Sequence, residues 1–267
     1  VNRILKEKGE MTTHQLCDIL NEFAPLSLQD SWDNSGLQID NNNAEVTGVL
    51  VCFDITEKSL QEAIDKHCNV IVAHHPLLFH GLKQIGNDAY IERCVRMAIV
   101  HNIAIYCNHT PLDKVQDGIS WKLGEKLGLQ NLTYLQTDGI ASYGTMGEFS
   151  TPLSEKDFIN LLKSTFGLTY VRCSEPLNKA ISKVALCGGS GAFLIDDALK
   201  AGADAFVCGD IKHHEFYKAE QKILLADIGH FESEIATKEI FFSILSKKIP
   251  TFVVHLSEND KSPIYCF

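Results

Sequence analysis

Two stretches decide the fold: Val46-Thr47-Gly48-Val49-Leu50-Val51-Cys52-Phe53, and Val70-Ile71-Val72-Ala73-His74-His75-Pro76. The first reads as a buried strand and the second opens with a short apolar strand. Between them Thr56 is a plausible N-cap, and residues 60–64 lie in a helix. A strand, a helix and a strand in such close succession pair in parallel through a right-handed crossover by default. The pattern recurs downstream: residues 89–100 have helical spacing, 103–107 are strand-like, and 119–127 are helical until Gly128. Upstream, Leu16, Ile19, Leu20 and Phe23 fall on one helical face that Pro25 ends. Ser31-Trp32-Asp33-Asn34-Ser35-Gly36-Leu37 is a turn-rich loop.

From Gly139 a second lobe is expected. Residues 146–149 look extended, and Ser154 with Asp157 gives an S-x-x-D start to the helix carrying Phe158, Leu161 and Leu162. Residues 184–186, 205–208, 223–226 and 252–254 read as short buried strands. The predicted class is α/β, with two related lobes, each a small mostly parallel sheet with flanking helices. The division expected is residues 1–130 and 131–267, with the segment after about 228 a candidate to pack back on the first lobe. One continuous sheet is the alternative, because no Pro/Ser/Gly-rich linker separates the halves.

The chain has 267 residues, 45% of them hydrophobic and 22% charged, enough apolar side chains for one or two cores. Lys and Arg number 24 against 34 Asp and Glu, for a net charge of −10. No basic run accompanies that balance, so a broad grip on a nucleic-acid backbone is not expected, while cations are suited. The nine cysteines are odd in number, scattered and free of any C-x-x-C pair, so they read as reduced thiols. No signal-peptide core and no apolar run of roughly 18 or more residues is visible. A soluble, cytoplasmic protein without a membrane partner is the expectation.

Polar clusters recur just past the strands, where open α/β sheets collect ligands. His74-His75-Pro76 follows residues 70–72, and Asn108-His109-Thr110-Pro111-Leu112-Asp113 follows 103–107. Asp227-Ile228-Gly229-His230-Phe231-Glu232-Ser233-Glu234 follows 223–226, and a helix beginning there puts His230 and Glu234 on one face. Each has a bland reading: a hydrogen-bonded loop, turn chemistry, or a capped helix with an acidic first turn. Together, His74, His75, His230, Asp113 and Glu234 make a borderline nitrogen and oxygen donor set suited to zinc, manganese, iron, cobalt or nickel. Five ligands exceed the need of one catalytic zinc, and two ions about 3.5 to 4 Å apart account for the surplus. Gly188-Gly189-Ser190-Gly191 could cradle a phosphate but lacks the P-loop lysine, and a tight turn explains it equally well. Trp32, in a polar loop, could pack as a lid, stack a base or line a subunit contact, and a structural role is favoured because tryptophan is commonly largely buried.

These motifs, Trp32-Asp33-Asn34-Ser35-Gly36-Leu37, His74-His75-Pro76, His109-Thr110-x-x-Asp113, Cys187-Gly188-Gly189-Ser190-Gly191 and Gly229-His230-x-x-x-Glu234, together resemble the Nif-three-like dinuclear metal-centre proteins. That family is often labelled GTP cyclohydrolase type 2 homologues, and the resemblance runs from about Met11. It implies two metal ions held by His74, His75, Asp113, His230 and Glu234, with Glu234 or Asp113 bridging, in a cleft between two α/β lobes. It also implies a ring-shaped homohexamer. Asp210 and His214, in Gly209-Asp210-Ile211-Lys212-His213-His214, are the remaining candidates for proton transfer or substrate contact. The leading functional expectation is a metal-dependent hydrolase acting on a nucleotide-like or other phosphorylated small molecule, with GTP ring opening implied by the label. A metal storage or delivery protein and an interaction module with a structural metal site are the alternatives.

Overall fold

Val49, Leu50 and Val51 leave no polar face, and a strand that is apolar on both sides must be covered on both. In the structure, a computed structural model describing residues 11–136, 141–249 and 253–265, that is the outcome. The mixed-charge opening segment, Gly139, Phe252 and Cys266 lie outside those residues. In chain order the elements are α1 (Thr13–Phe23), β1 (Gly36–Ile39), β2 (Val49–Cys52), α2 (Glu57–Asp65), β3 (Val70–Ala73), α3 (Tyr90–Val100), β4 (Ala104–Cys107) and α4 (Thr110–Lys114). Then come α5 (Ile119–Lys126), β5 (Gln130–Tyr134), β6 (Thr145–Ser154), α6 (Glu155–Phe166), β7 (Arg172–Cys173), β8 (Ala180–Ser190) and α7 (Ile195–Lys200). The chain closes with β9 (Ala205–Gly209), β10 (Leu224–Asp227), α8 (His230–Glu234), α9 (Thr237–Lys248) and β11 (Val254–Leu256). No described helix is long and apolar enough to cross a membrane.

The chain forms two compact units, residues 1–111 with 238–260, and residues 112–237 with 261–267. In the first, the sheet order is β1-β4-β3-β2-β11, and every pairing except β1 with β4 is parallel. All residues of β2, β3 and β4 are buried. Leu50, Ile71 and Ile105 pack with Leu60, Cys94 and Ala98 of the covering helices. Cys52, Ala73 and Cys107 stand level across the three strands. That alignment sets the chemistry, because Asp54, His75 and His109 each lie two residues beyond it.

The second unit carries the order β5-β6-β8-β9-β10-β7. The expected parallel pairing holds for its centre, β8, β9 and β10, while β6, β5 and β7 flank it antiparallel. Alternation sorts the two faces. Ala185, Phe206 and Leu225 pack with Leu194, Ile195 and Ala198, and Val184, Val207 and Leu224 pack with Leu123, Phe158 and Leu162. The described cysteines are all free. Burial pushes the Cys17 thiol up to about 12 and those of Cys68 and Cys94 up to about 11, so they stay protonated and inert.

A buried carboxylate secures the segment after β11. Glu62 of α2, 7% exposed, accepts from Ser257 Oγ at 2.8 Å, the Glu258 amide at 3.0 Å, Asn259 Nδ2 at 2.8 Å and Lys66 Nζ at 2.9 Å. Burial raises its pKa, but these donors outweigh burial and bring it from 4.5 down to about 2. A depressed folded-state pKa stabilises the fold above the unfolded value, and that stability is lost as pH falls through the folded one. Glu62→Gln should therefore cost about 2 kcal/mol near neutral pH. In urea denaturation series, the wild-type advantage should be complete above about pH 5 and shrink progressively towards about pH 2.

Candidate metal centre

The level ends of β2, β3 and β4 place three imidazoles together within the first unit. His74, His75 and His109 each offer a ring nitrogen, and these lie within 4.8 Å of one another. Ring centroids are 4.7 Å apart for His74 and His75, 5.2 Å for His74 and His109, and 5.3 Å for His75 and His109. Each ring is oriented through Nδ1. His74 Nδ1 lies 3.1 Å from the Asn108 carbonyl, His75 Nδ1 2.8 Å from Asp54 Oδ1, and His109 Nδ1 2.9 Å from Asp33 Oδ1. Carbonyl and carboxylate oxygens only accept, so Nδ1 donates and Nε2 keeps the lone pair in each neutral ring.

The partners are themselves fixed. Burial raises the Asp33 pKa, but hydrogen bonds from His109, Thr110 and Ser35 more than offset it and hold the carboxyl well below the usual carboxylate range. Thr110 Oγ1 and Ser35 Oγ donate to Asp33 Oδ2 at 2.6 and 2.8 Å. Asn108, fully buried, donates through Nδ2 to the Ala24 carbonyl at 2.9 Å and to Tyr106 Oη at 3.1 Å.

In the second unit, α8 begins at His230, as the four-residue spacing predicts. His230 Nε2 lies 3.0 Å from Glu234 Oε2, and Nδ1 lies 2.7 Å from Asp210 Oδ2. With Nδ1 donating to Asp210, Nε2 beside a carboxylate is either protonated or shares a cation with it. Glu234 is 3% exposed, and Asp113 on α4 is 8% exposed. Gly188 and Gly189 bring the backbone of β8 against this helix. A β-carbon at Gly189 would overlap Glu234 Oε1, and its φ of +59° also favours glycine. The Gly189 amide donates to Ser233 Oγ at 2.9 Å, and that hydroxyl donates to the His230 carbonyl at 2.8 Å. Gly189 thus makes room for Glu234 within a strand, and Gly188 for Ile119. The turn into the next helix comes at Gly191.

His214 sits on an exposed 3₁₀ helix, His213–Ala219, with its ring stacked on Tyr217 at 6.5 Å. Trp32, expected to be buried, is 55% exposed. Its polar neighbours anchor the loop instead: Asp33 as described, and Asn34 by donating to the Leu78 carbonyl at 2.6 Å. Sequence reasoning did not nominate His109 as a donor, nor Asp33 and Asp54 as imidazole partners. Their position two residues past apolar strand-like runs was the available signal for His109 and Asp54. Asp33 had none, since 76 residues separate it from His109.

The donors fit a divalent transition metal. They are imidazole nitrogens and carboxylate oxygens of borderline softness, and the histidines carry the Nδ1 acceptors that metal-bound imidazoles require. The His/Asp/Glu groups could therefore hold a metal ion.

Comparison with known proteins identifies the family. The family model for Duf34/NIF3 (NGG1p interacting factor 3) matches residues 11–263. A Clostridium perfringens protein called GTP cyclohydrolase 1 type 2 homolog is 33% identical over 229 residues, covering 84% of this chain and 87% of its own. A Streptococcus pneumoniae protein of the same name is 32% identical over 241 residues, covering 86% and 89%. Among solved structures, the Staphylococcus aureus hypothetical protein SA1388 superposes with a TM-score of 0.90 at 28% identity, covering 97% of this chain and 100% of its own. A Bacillus cereus protein related to NIF3 shares the fold, with a TM-score of 0.88 at 21% identity over 97% and 100% of the two chains. With a family model spanning nearly all of its length, this chain belongs to the DUF34/NIF3 family.

Proposed function

We propose that this protein is a dinuclear metal-dependent hydrolase acting on a nucleotide-like or other phosphorylated small molecule, with His74, His75, Asp113, His230 and Glu234 as the metal ligands. The observation that carries the reading is the hydrogen-bonded Nδ1 of His74, His75 and His230, which leaves Nε2 of each as the donor nitrogen. Two buried carboxylates, Asp113 and Glu234, add oxygen donors of the type that complements imidazole nitrogens at a transition metal.

Bound divalent ions would supply charge stabilisation for a phosphoryl or carbonyl oxygen and acidify a water towards about pH 7. The chain's own residues do the positioning. Asp54 fixes the ring of His75, Asp210 fixes that of His230, and the Asn108 carbonyl fixes that of His74. Asp210 thereby acts as a positioning residue. His214, exposed beside Tyr217, is proposed as a substrate contact, and the relatives' name makes GTP one compound to test.

The test is turnover of a panel of nucleotides and phosphoesters by metal-replete protein, with metal content measured in parallel. Glu234→Ala should lose bound metal and lower any turnover by about 100-fold or more. Activity that survives this substitution counts against the hydrolase. Asp54→Asn should weaken metal affinity by about 10- to 100-fold, read by competition with a chelating dye, while circular dichroism stays unchanged. His214→Ala should raise KM for the active compound and leave metal content intact; unchanged kinetics would remove His214 from the site.

A further inference from the structure

Apolar side chains gather on the first unit beside the imidazoles. Trp32 is 55% exposed, Phe79 37%, Leu82 37% and Ile85 53%. Exposed apolar clusters of this kind mark binding surfaces more often than lone exposed residues do. A cavity of about 500 Å³, within the range of small-molecule sites, opens beside Phe79, Leu82 and Ile85 and is also lined by Asp33, Asn34 and His80, with Trp32 next to it in sequence and against Phe79 rather than on its wall.

Two features tie this cavity to the imidazole cluster. Trp32 and Phe79 pack edge-on against His109, at 5.9 Å and 76° and at 6.2 Å and 71°, and they lie 5.9 Å from one another. Asp33, on the cavity wall, is the acceptor that orients His109. The exposure of the two rings is built in. Asn34 Nδ2 donates to the Leu78 carbonyl at 2.6 Å, the Leu78 amide donates to Gln38 Oε1 at 2.8 Å, and Gln38 Nε2 donates to the Asn34 carbonyl at 2.7 Å. These bonds lock the loop carrying Trp32 to the segment carrying Phe79. Pre-ordered aromatic faces lower the entropy cost of receiving a flat ligand.

We propose that Trp32 and Phe79 form a ring-binding subsite, which takes a small molecule bearing a planar aromatic ring whose anionic end lies at His74, His75 and His109. The inference rests on the metal reading above for the anionic end only. Stacking supplies the affinity for the ring, so a compound lacking the ring should lose it.

The experiment uses the full chain, loaded with Zn²⁺, in a Trp121→Phe background that leaves Trp32 as the sole tryptophan. Adenosine 5′-monophosphate, ribose 5-phosphate and inorganic phosphate are titrated by calorimetry and by tryptophan fluorescence, and adenosine is titrated into chelator-treated protein. Adenosine 5′-monophosphate should bind about 10-fold or more tightly than ribose 5-phosphate and quench Trp32. Trp32→Leu and Phe79→Leu should each bring it towards the ribose 5-phosphate affinity, leaving ribose 5-phosphate binding and zinc content unchanged. Equal binding of the two phosphates by the unsubstituted protein overturns the subsite. So does a pair of leucine variants that alter only the sedimentation coefficient, which would make the patch a contact between copies. Quenching by adenosine in zinc-free protein would leave the subsite standing whatever the fate of the metal reading, whereas failure of the full chain to retain any zinc on loading would sink the metal reading alone.

Discussion

The parallel register of β2, β3 and β4 is the constraint on which the first unit's chemistry depends. Because Cys52, Ala73 and Cys107 stand level, the residues after them leave the sheet at one edge and at similar height. An imidazole from β3, another from β4 and a carboxylate from β2 then meet without any long loop to order. A slip of one residue in either pairing would turn a histidine towards the opposite face, since side-chain direction alternates along a strand. The buried apolar runs that hold the register also hold the site, so packing and chemistry share one cause.

Nitrogen choice is the second level of control. A free imidazole can present either nitrogen, and a cluster of free rings would spend its binding energy on ordering them. Here Asn108, Asp54, Asp33 and Asp210 each take one Nδ1 hydrogen. Asp33 is in turn saturated by Thr110 and Ser35, so its carboxylate stays ionised despite burial. In the second unit the corresponding device is steric. Glycine at 189 lets a strand pass where a β-carbon would displace Glu234, glycine at 188 does the same against Ile119, and this accounts for a glycine-rich stretch that also invited a phosphate reading.

Much of the fold was legible because its signals are local. Apolar runs at 49–52, 70–73 and 104–107, the capping residue Thr56, and the amphipathic spacing of α1 and α3 each follow from a few adjacent residues. Three of the edge strands, β1, β5 and β7, were not legible. β5 and β7 are largely exposed, and β1 begins inside a turn-rich loop, so none has the continuous burial that creates a pattern. Trp32 was misjudged for a related reason. Residue type predicts burial on average, whereas here the polar side chains of Asp33 and Asn34 provide the anchor and leave the ring outside.

The sequence by itself determined the class of fold, the presence of polar clusters just past the strands, and the helical pairing of His230 with Glu234. All of these depend on neighbours within a few residues. Only the tertiary structure decided that His109 joins His74 and His75, that Asp33 orients it, and that Trp32 and Phe79 stand exposed against it. Those contacts join segments tens of residues apart, and their geometry comes from strand register and close packing, which no local spacing encodes.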